Sequence, residues 1–448
     1  MSLTRELPRA PDLLALHAAD PLRYPVLLES VASGGGGARY DLLFATTGET
    51  LVADAQGKLS GPYAECGRFL DALAAWHDAV ATPRENDAVP FRGGFAVLLG
   101  YELAAEIEPR LRLPAAALPV PRAVAWRAPV AIVSDRDNGH ACVIGEVGAE
   151  ALFDLVASDA MRAVAPVTAR RGVTRIEEDD ANRYYGAVHA ALDYIEAGDV
   201  FQVNLSRAWR ATRPADLSVA EIYASLRANN PAPFAGLVQW DGWALASSSP
   251  ERLVSAHDGL LQTRPIAGTR PRFPGDDDAA RVQELVGHPK ERAEHIMLID
   301  LERNDLGRVA VPGSVVVDEL MTVESYAHVH HIVSNVRARL RPELGPVDAI
   351  RAVFPGGTIT GCPKVRCMEI IAELEGEGRG FYTGALGYLG VDGGMDLNIL
   401  IRSLTITPES IEFRAGAGIV ADSVAARELD ETRAKARGLV RALVQEAG

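Results

Sequence analysis

FPGGTITGCPKVRCMEII, the stretch from Phe354 to Ile371, joins a glycine-rich loop to the start of an amphipathic segment. It predicts the end of a strand, a tight loop, and then a helix with Lys364 in its first turn. Because glycine has no Cβ atom, the loop backbone can approach a ligand closely. The free N–H groups at a helix start and the charge of Lys364 favour an anion, either a carboxylate or a phosphate. Most glycine turns before helices bind nothing, but here Thr358, Thr360 and Lys364 lie together in one short loop.

Neither glycine-rich segment of the chain matches a nucleotide-binding motif. Gly357 and Gly361 are too close together for a phosphate-binding loop, and Val365 stands where such a loop has a serine or threonine. Gly416–Gly418, followed by IVAD, resembles a dinucleotide fingerprint, but too little chain follows for the rest of that fold. We therefore interpret Gly416–Gly418 as a glycine turn or as a second backbone cradle for a carboxylate.

The composition indicates a large globular enzyme that is acidic overall. The chain has 448 residues, of which 48% are hydrophobic. This length allows one large domain or about two to three ordinary ones. The formal net charge of −15 disfavours a nucleic-acid partner. An anionic substrate would therefore need local lysine or arginine residues, or a metal ion.

The sequence favours a cytoplasmic location. Charged residues such as Arg5 and Glu6 interrupt any signal-peptide core, and no apolar run is long enough to span a bilayer. The four cysteines have the spacing of neither a zinc site nor a disulfide framework, which is consistent with a reducing compartment.

Two segments of different character follow each other along the chain. Residues 1–165 are rich in short apolar runs predicted to be strands, among them Tyr40–Thr46 and Val124–Val133. A weak boundary near Ala165–Gly172 precedes residues 175–448, where predicted helices alternate with predicted hairpins. This alternation predicts an α+β fold with antiparallel sheets rather than a doubly wound parallel sheet.

Local signals in the second segment support both helices and hairpins. Asp180 can cap a helix whose apolar stripe includes Tyr185 and Val188, and Ser218 with Glu221 forms a capping box for another helix. Hairpin turns are predicted at three Asp-Gly pairs, which are Asp241-Gly242, Asp258-Gly259 and Asp392-Gly393.

Two helix-like segments each carry a pair of glutamates spaced three residues apart. The pairs are Glu291 with Glu294 and Glu428 with Glu431, and each pair lies on one face of its helix. Carboxylates that converge from two helices form an oxygen site suited to Mg²⁺. The competing interpretation is a solvated acidic face, with Glu431 paired to Lys435.

SSSPE (Ser247–Glu251) and PIAGT (Pro265–Thr269) are each predicted to end a strand. If the Asp258-Gly259 turn joins these strands, their ends lie side by side, and Glu251 becomes a candidate general acid near Thr269. On spacing alone, a cap at a helix or a turn explains Glu251 equally well.

Two further side chains lie among apolar residues. His331, in HVHHIVSN, alternates with apolar neighbours, and such a histidine is more often a hydrogen-bonded structural residue than a catalyst. Arg402 is predicted to lie on the strand after the Asp392-Gly393 turn, where it needs an anionic partner.

Six motifs occur in the order found in the chorismate-utilising enzymes, and the chain resembles that family. They are PIAGT, EHIMLIDLERNDLGRV, HIVSNV, GGTITGCPKVRCMEIIAELE, FYTGALGYLG and GAGIVADS. The family includes anthranilate, aminodeoxychorismate, isochorismate and salicylate synthases. The resemblance is strong over residues 175–448 and looser over residues 1–165. It implies an anthranilate synthase component I-like fold, with two packed, mostly antiparallel sheets flanked by helices.

The resemblance implies a magnesium-dependent reaction of chorismate. Glu294 and Glu431 match the direct ligands of Mg²⁺, and Glu291 and Glu428 match ligands that act through water. The metal ion would hold the ring carboxylate of chorismate. Glu251 matches the acid that assists departure of the C4 hydroxyl group.

The resemblance also implies a set of substrate contacts. His331 matches an active-site histidine, and Lys435 is directed to the substrate region. Lys364 joins the candidate site residues because it lies in the predicted anion site. Thr269 joins them because it is predicted to lie beside Glu251. The positions that match substrate contacts are Gly357, Thr358, Tyr382, Arg402 and the backbone of Gly416, Ala417 and Gly418.

Gln202, in FQVNLS, stands where water-using members of the family have a lysine base. The absence of that lysine disfavours isochorismate and salicylate synthases and favours ammonia as the nucleophile. The sequence has no cysteine-bearing nucleophile elbow that could release ammonia from glutamine. A separate glutamine amidotransferase partner is therefore expected.

The sequence is compatible with two different reaction products. Ala267, in PIAGT, matches anthranilate synthases, since aminodeoxychorismate synthases usually carry a lysine there that attacks C2 of the substrate. FQVNLS, NPAPF (Asn230–Phe234) and the chain length instead resemble the large subunit of aminodeoxychorismate synthase, and LLES (Leu27–Ser30) occurs in both groups. We favour an aminodeoxychorismate synthase with alanine at this position, and an anthranilate synthase is the alternative. A non-catalytic chorismate-binding relative is disfavoured because all four glutamates are present.

Overall fold

The computed structural model describes residues 2–32, 39–85, 89–271, 289–325 and 329–444, without the side chains of residues 269–271, 289–291 and 329–330. Within these ranges the helices are α1 Leu13–Ala19, α2 Phe69–Val80, α3 Ala104–Ile107, α4 Glu150–Met161, α5 Ala181–Glu196, α6 Val219–Asn229, α7 Pro289–Gly307, α8 Pro346–Val353, α9 Lys364–Glu375 and α10 Ala425–Leu443. The strands are β1 Ser2–Leu7, β2 Val26–Glu29, β3 Tyr40–Ala45, β4 Thr50–Ala53, β5 Leu59–Ser60, β6 Gly94–Leu99, β7 Ala123–Ala128, β8 Val130–Asp135, β9 Ala141–Glu146, β10 Glu177–Glu178, β11 Gln202–Thr212, β12 Phe234–Trp240, β13 Trp243–Ser249, β14 Arg252–His257, β15 Leu260–Thr263, β16 Ile266–Pro271, β17 Val316–Ser325, β18 Val329–Arg339, β19 Gly361–Cys362, β20 Ala385–Gly390, β21 Met395–Ile399, β22 Ser403–Ile406 and β23 Ser410–Ile419.

Two antiparallel sheets form the centre of the fold. In the described part of the chain, twelve strands form the first sheet in the order β1-β9-β8-β3-β2-β12-β13-β22-β23-β11-β10, with β19 attached to β11. Eleven described strands form the second sheet in the order β16-β18-β15-β14-β21-β20-β6-β7-β4-β5, with β17 attached to β18. The predicted α+β class with two antiparallel sheets is confirmed.

Alternate residues of the central strands pack into different hydrophobic cores. In β3, Leu42 and Phe44 pack into the core between the two sheets, which also contains Leu98 of β6. Leu43 and Ala45 point the other way and pack against helices on the outer side of the first sheet. Because successive side chains of a strand point to opposite faces, each sheet separates an inner core from an outer, helix-covered core.

Strands from both sequence segments enter both sheets. Of the strands in residues 1–165, β1, β2, β3, β8 and β9 lie in the first sheet, and β4 to β7 lie in the second. Ala235 of β12 pairs with Glu29 of β2, and Ala385 of β20 pairs with Leu99 of β6. The boundary near residue 165 therefore marks a change in sequence character within one pair of sheets.

Most segments with a local sequence signal adopt the structure that the signal predicts. The Asp180 side chain accepts a hydrogen bond at the start of α5, and Ser218 and Glu221 form the capping box of α6. All three Asp-Gly pairs lie in turns between neighbouring antiparallel strands. Among the described helices, none is long and apolar enough to cross a membrane.

Two local predictions in these segments were wrong, and a third was partly right. Val124–Val133 forms two strands, because Pro129 interrupts it, and β7 and β8 then enter different sheets. Phe354, before the glycine-rich loop, is the C-cap of helix α8 and not the end of a strand. The predicted stripe of α5 is confirmed at Val188, and Tyr185 packs partly buried against the same core, but Tyr184 is the more deeply buried tyrosine.

Candidate active site

Strands β11 and β23 form one wall of the candidate site. They are antiparallel, with Gly418 opposite Asn204. A Cβ atom on Gly416 would lie 2.6 Å from the carbonyl oxygen of Leu205, and one on Gly418 would lie 2.3 Å from Nε2 of Gln202. A Cβ atom on Gly416 would therefore require the neighbouring strand to move, whereas one on Gly418 would displace the Gln202 side chain. Both glycines lie inside β23, so their interpretation as a turn is wrong, and the carboxylate cradle stays a prediction.

Gln202 begins β11 and has an amide group without a partner. The residue is 3% exposed, and its Oε1 accepts no hydrogen bond from any residue that the structure describes. A buried amide oxygen without a partner is costly, so a bound molecule that donates a hydrogen bond there would be favoured. A primary amide is not basic, and Gln202 therefore cannot act as a general base.

The glycine-rich loop lies directly beside the start of β11. Gly357–Ile359 forms a single 3-10 turn, and Cys362 of β19 pairs with Gln202. A Cβ atom on Gly361 would lie 2.1 Å from the carbonyl oxygen of Gln202, and φ of Gly361 is +133°. Glycine is required at Gly361 for both reasons. The loop and the wall that carries Gln202 are thus held together.

Lys364 starts α9, as predicted, but its charge is already paired. Its Nζ donates to the carboxylate of Asp305 on α7 and, at 3.0 Å, to the carbonyl oxygen of Val353. The side chains of Lys364 and Asp305 are 12% and 5% exposed. This geometry connects α7, α8 and α9 below the loop, and it does not support the predicted direct contact between Lys364 and a ligand.

Glu251, between β13 and β14, is a buried carboxylic acid. Burial raises the pKa of Glu251 to about 7, although the Thr358 hydroxyl and the positive charges of Lys435 and Arg402 oppose the shift. Within the described residues, neither Oε1 of Glu251 nor Oγ1 of Thr358 makes a hydrogen bond of good geometry. Glu251 therefore caps no helix or turn through Oε1, and it can hold and donate a proton near neutral pH.

PIAGT begins strand β16, whereas the sequence placed it at the end of a strand. The Asp258-Gly259 turn joins β14 to β15, and Glu251 precedes β14 while Ile266 follows β15. The backbone of Ile266 is one of the groups that favour the ionised form of Glu251. SSSPE and PIAGT are therefore neighbours, as predicted.

Strand β16 pairs with β18 beside this hairpin. Thr269 lies opposite His331, and Ala267 lies opposite Ile332, with a bulge between the two pairs. His331 is buried, and its Nδ1 lies 3.4 Å from the carbonyl oxygen of Gly268. Ala267 is 6% exposed, and the side chain of Thr269 lies outside the described residues. The predicted catalytic roles of these residues stay predictions.

Arg402 places a positive charge near Glu251. It lies in the connection between β21 and β22, with φ of +52°, and not on a strand as predicted. Burial lowers the pKa of the guanidinium, and Glu251 partly opposes this effect. Among the described residues, no side chain forms an ion pair or hydrogen bond with Arg402. A guanidinium in this position favours an anionic ligand.

Tyr382 and Lys435 both approach the backbone of Gly416. A Cβ atom on Gly416 would lie 2.9 Å from the Tyr382 hydroxyl, and Lys435 Nζ donates to the Gly416 carbonyl oxygen at 3.0 Å. Burial raises the pKa of Tyr382 to about 12, so this residue stays neutral. Lys435 also pairs with half-exposed Glu431 at 2.7 Å, as the competing surface-pair interpretation expects. Ala417 is fully buried in a hydrophobic core.

The glutamates of the predicted magnesium site lie on α7 and α10. Glu428 is buried, Glu294 is partly buried, Glu431 is half exposed, and the side chain of Glu291 lies outside the described residues. Glu428 and Glu431 both act electrostatically on the buried hydroxyl of Tyr184, whose pKa is raised mainly by burial. Among the described residues, no three His, Cys, Asp or Glu side chains are grouped to hold a metal ion. Carboxylate ligands suit Mg²⁺, so the residue types fit, and their convergence stays a prediction.

Two buried carboxyl groups on α7 were missed by the sequence analysis. Glu302 and Asp305, in LERND, are both buried. A Cβ atom on Gly357 would lie 3.7 Å from Oε1 of Glu302, while Asp305 holds Lys364. The sequence contains the signal, since Leu298, Glu302 and Asp305 have the spacing of one helix face and Leu298 marks that face as buried.

Known proteins are similar to this chain in sequence and in fold. Residues 34–441 match the model of the chorismate binding enzyme family. An anthranilate synthase component I-like protein of Synechocystis is 42% identical over 84% of this chain and 78% of its own length. Aminodeoxychorismate synthase component 1 of Bacillus subtilis is 40% identical over 84% of this chain and 82% of its own. The structure of anthranilate synthase component I from Streptococcus pneumoniae gives a TM-score of 0.79 at 31% identity and covers 90% of this chain and 93% of that one.

The fold and the matched family define an enzyme that acts on chorismate. This chain belongs to the chorismate binding enzyme family, since the family model spans most of its length. Similar proteins carry the names of two different synthases at nearly equal identity. These names therefore leave the reaction product open between the two synthases.

Proposed function

We propose that this chain is component I of an aminodeoxychorismate synthase. It converts chorismate and ammonia into 4-amino-4-deoxychorismate for the synthesis of 4-aminobenzoate and folate. The observation that carries the amination step, which both candidate synthases share, is Gln202, a buried amide at the position where water-using relatives have a lysine base. Water needs a base to become a good nucleophile, whereas unprotonated ammonia is already one. The site is therefore suited to amination.

Chorismate is a dicarboxylate, and the site offers groups that bind carboxylates. The guanidinium of Arg402 has no partner within the described part of the protein, so it is available to one carboxylate. The resemblance adds the backbone of the loop at Gly357 and of β23 at Gly416, where Leu301 and strand β11 pack closely against the glycines. We assign substrate binding to these groups together with Thr358 and Tyr382.

Mg²⁺ is part of this proposal. Glu294 and Glu431 would hold the ion directly, and Glu291 and Glu428 would act through water. The bound ion would supply positive charge to the ring carboxylate of chorismate. Glu428 is buried on α10, one helical turn from Glu431.

Glu251 supplies the proton in the proposed reaction. It donates the proton to the C4 hydroxyl, which departs as water. The pKa of about 7 keeps a substantial fraction of Glu251 protonated near neutral pH, and the cause is burial of the carboxyl. Arg402 and Lys435 then stabilise the carboxylate that forms, since both act electrostatically on Glu251.

Ala267 requires a route without a covalent bond between enzyme and substrate. Its methyl group cannot attack C2, so water or ammonia adds at C2 as the C4 hydroxyl leaves. Ammonia then adds at C4 as the group at C2 departs. A covalent adduct between substrate and any lysine, found by mass spectrometry of the quenched enzyme, would contradict this route.

Anthranilate synthase is the second candidate, and Ala267 is the observation that favours it. In that reaction ammonia stays at C2 and pyruvate is eliminated. The segments LLES and NPAPF meet in one pocket, where Leu28 and Ser30 face Pro233 and Phe234. Phe234 in this pocket matches the residue of the aminodeoxychorismate synthases at this position, and it favours the first candidate.

A separate glutamine amidotransferase supplies ammonia in this proposal. We expect the purified chain to consume chorismate with ammonium but not with glutamine, and to use glutamine once the partner is added. Chorismate loss is followed by its ultraviolet absorbance. A partner variant without its glutamine-cleaving nucleophile is the control and should restore nothing. Equal rates with ammonium and with glutamine for the chain alone would refute the need for a partner.

A further inference from the structure

Strand β11, which carries Gln202, is only partly covered by other strands on the edge opposite to β23. On this edge β19 pairs with the first two residues of β11, and β10 pairs with Trp209 and Arg210. Within the described residues, no strand pairs on this edge with the part of β11 that lies between them. Buried backbone groups need hydrogen-bond partners, so other groups must bind this part of the strand.

A buried pair of side chains supplies these hydrogen bonds. Oε1 of Glu375, the last residue of α9, accepts from the backbone N–H of Ser206 at 2.8 Å and from its hydroxyl at 2.9 Å. Nη2 of Arg379 donates to the carbonyl oxygen of Asn204 at 2.7 Å. Arg379 also binds both carboxylate oxygens of Glu375, at 2.6 and 3.1 Å. This bidentate pair therefore takes the place of a strand beside the middle of β11.

The guanidinium of Arg379 also contacts two other walls of the candidate site. Its Nη1 donates to the carbonyl oxygen of Ile359, in the glycine-rich loop, at 3.2 Å and to the hydroxyl of Thr383 at 3.3 Å. Its central carbon lies 5.5 Å from the ring centre of Tyr382 and 4.9 Å from that of Tyr101, which are distances of cation–π contacts. One side chain thus joins β11, the loop and Tyr382.

The carboxylate of Glu375 keeps this guanidinium in a defined orientation. Arg414 of β23 donates to Oε2 of Glu375 at 3.1 Å and to the hydroxyl of Ser206 at 3.0 Å. Although burial opposes ionisation, the charges of Arg379 and Arg414 hold the pKa of Glu375 below its ordinary value. Glu375 is therefore ionised near neutral pH. A planar guanidinium that binds a carboxylate through two nitrogens has little freedom to rotate.

We propose that Arg379 is a positioning residue of the active site, which holds Tyr382, the glycine-rich loop and strand β11 at the spacing that chorismate requires. This inference rests on the proposed function, because it takes Tyr382 and the loop as substrate contacts. Arg379 is buried and its guanidinium is bound by protein groups, so it acts through these three walls and not on the substrate itself.

The test compares Arg379→Lys with the wild-type protein. Lysine keeps the positive charge, but its single ammonium group cannot bind Glu375, Asn204 and Ile359 in the geometry of the guanidinium. We expect the KM for chorismate to rise by on the order of tenfold with a smaller change in kcat, because substrate contacts are misplaced while the acid Glu251 is untouched. Calorimetry with Mg²⁺ and without ammonium should show chorismate binding weakened by a similar factor.

Arg127→Lys is the matched control for this experiment. Arg127 is also buried, binds both carboxylate oxygens of Glu146, donates to the carbonyl oxygen of Gly94 at 3.0 Å, and lies 5.0 to 6.0 Å class distance over an aromatic ring, at 5.4 Å from the centre of Phe95. These groups lie outside the candidate site. The control should lose stability in urea as Arg379→Lys does, but it should keep the wild-type KM for chorismate. A KM that is unchanged in Arg379→Lys, or that rises equally in both folded variants, would overturn the inference.

The binding measurement separates this inference from the proposed function, since it needs no turnover. If Arg379→Lys binds chorismate more weakly while the wild-type protein forms no aminated product, the positioning role stands and the proposed function has failed. If the wild-type protein aminates chorismate and the variant binds it equally well, the inference alone has failed. Should Arg379→Lys not fold, Glu375→Asp is measured in its place, because it keeps the charge but shortens the side chain that holds Arg379. An unchanged affinity in that variant would overturn the inference.

Discussion

At the residue scale, the site depends on positions where the neighbours allow one residue type. Glycine is required at Gly361 and Gly416 because a Cβ atom would collide with the backbone of β11, and a Cβ atom at Gly418 would displace the Gln202 side chain. The sequence predicted close backbone approach at the loop, since clustered glycines signal it directly. The shared helix face with Leu298 was the one signal for Glu302 in the sequence, and it was missed because the burial of this carboxyl also depends on a loop more than fifty residues further along the chain.

Replacement of Glu251 tests the proton donor. We expect Glu251→Gln to lower kcat on the order of 10²- to 10⁴-fold with a smaller effect on KM, because glutamine cannot donate a carboxylic proton. In the wild-type enzyme, kcat/KM is calculated with the concentration of unprotonated ammonia at each pH. This value should fall as the pH rises through about 7, since Glu251 then loses its proton. The variant should lack this titration.

Glu65→Gln is the control for this prediction, because Glu65 is exposed in a short 3-10 turn away from the loop. It should keep the wild-type rate and pH profile. A Glu251→Gln enzyme that retains the wild-type kcat would show that another group protonates the departing hydroxyl.

At the element scale, structures set by local sequence were predicted, and structures set by distant contacts were not. The capping box at Ser218 and the Asp-Gly hairpins follow from a few adjacent residues, and they are present. The assignment of β7 and β8 to different sheets depends on what each strand meets on either side of Pro129. Likewise, Lys364 was predicted to face a ligand, because the sequence does not show that Asp305 of α7 reaches it first.

The buried pair of Lys364 and Asp305 gives a prediction at this scale. Lys364→Met should lower the free energy of unfolding by about 3–5 kcal/mol, because it leaves Asp305 buried without a cation. Adding Asp305→Asn should recover part of that loss. Urea unfolding measures the stability, and steady-state kinetics of the double variant should show a KM for chorismate near the wild-type value. A stable double variant that no longer binds chorismate would instead make Lys364 a substrate contact.

At the scale of the whole molecule, the two sequence segments build one pair of sheets around the site. Residues 1–165 supply strands to both sheets, while the groups of the candidate site come from residues 175–448. The protein has a net charge of −15, whereas the positive charges of Lys435 and Arg402 act on Glu251 in the candidate site. Family motifs in their order were enough to predict this fold. The reaction product could not be predicted in the same way, since it depends on single positions such as Gln202 and Ala267.

The identity of the product tests the account most directly. The purified chain is mixed with chorismate, Mg²⁺ and ammonium at alkaline pH, and anthranilate fluorescence and pyruvate release are followed, with a reaction without Mg²⁺ as control. We predict that chorismate disappears without pyruvate, and that adding a separate lyase then yields 4-aminobenzoate. Prompt release of anthranilate and pyruvate would contradict the account and show that Ala267, rather than the surrounding motifs, determines the product.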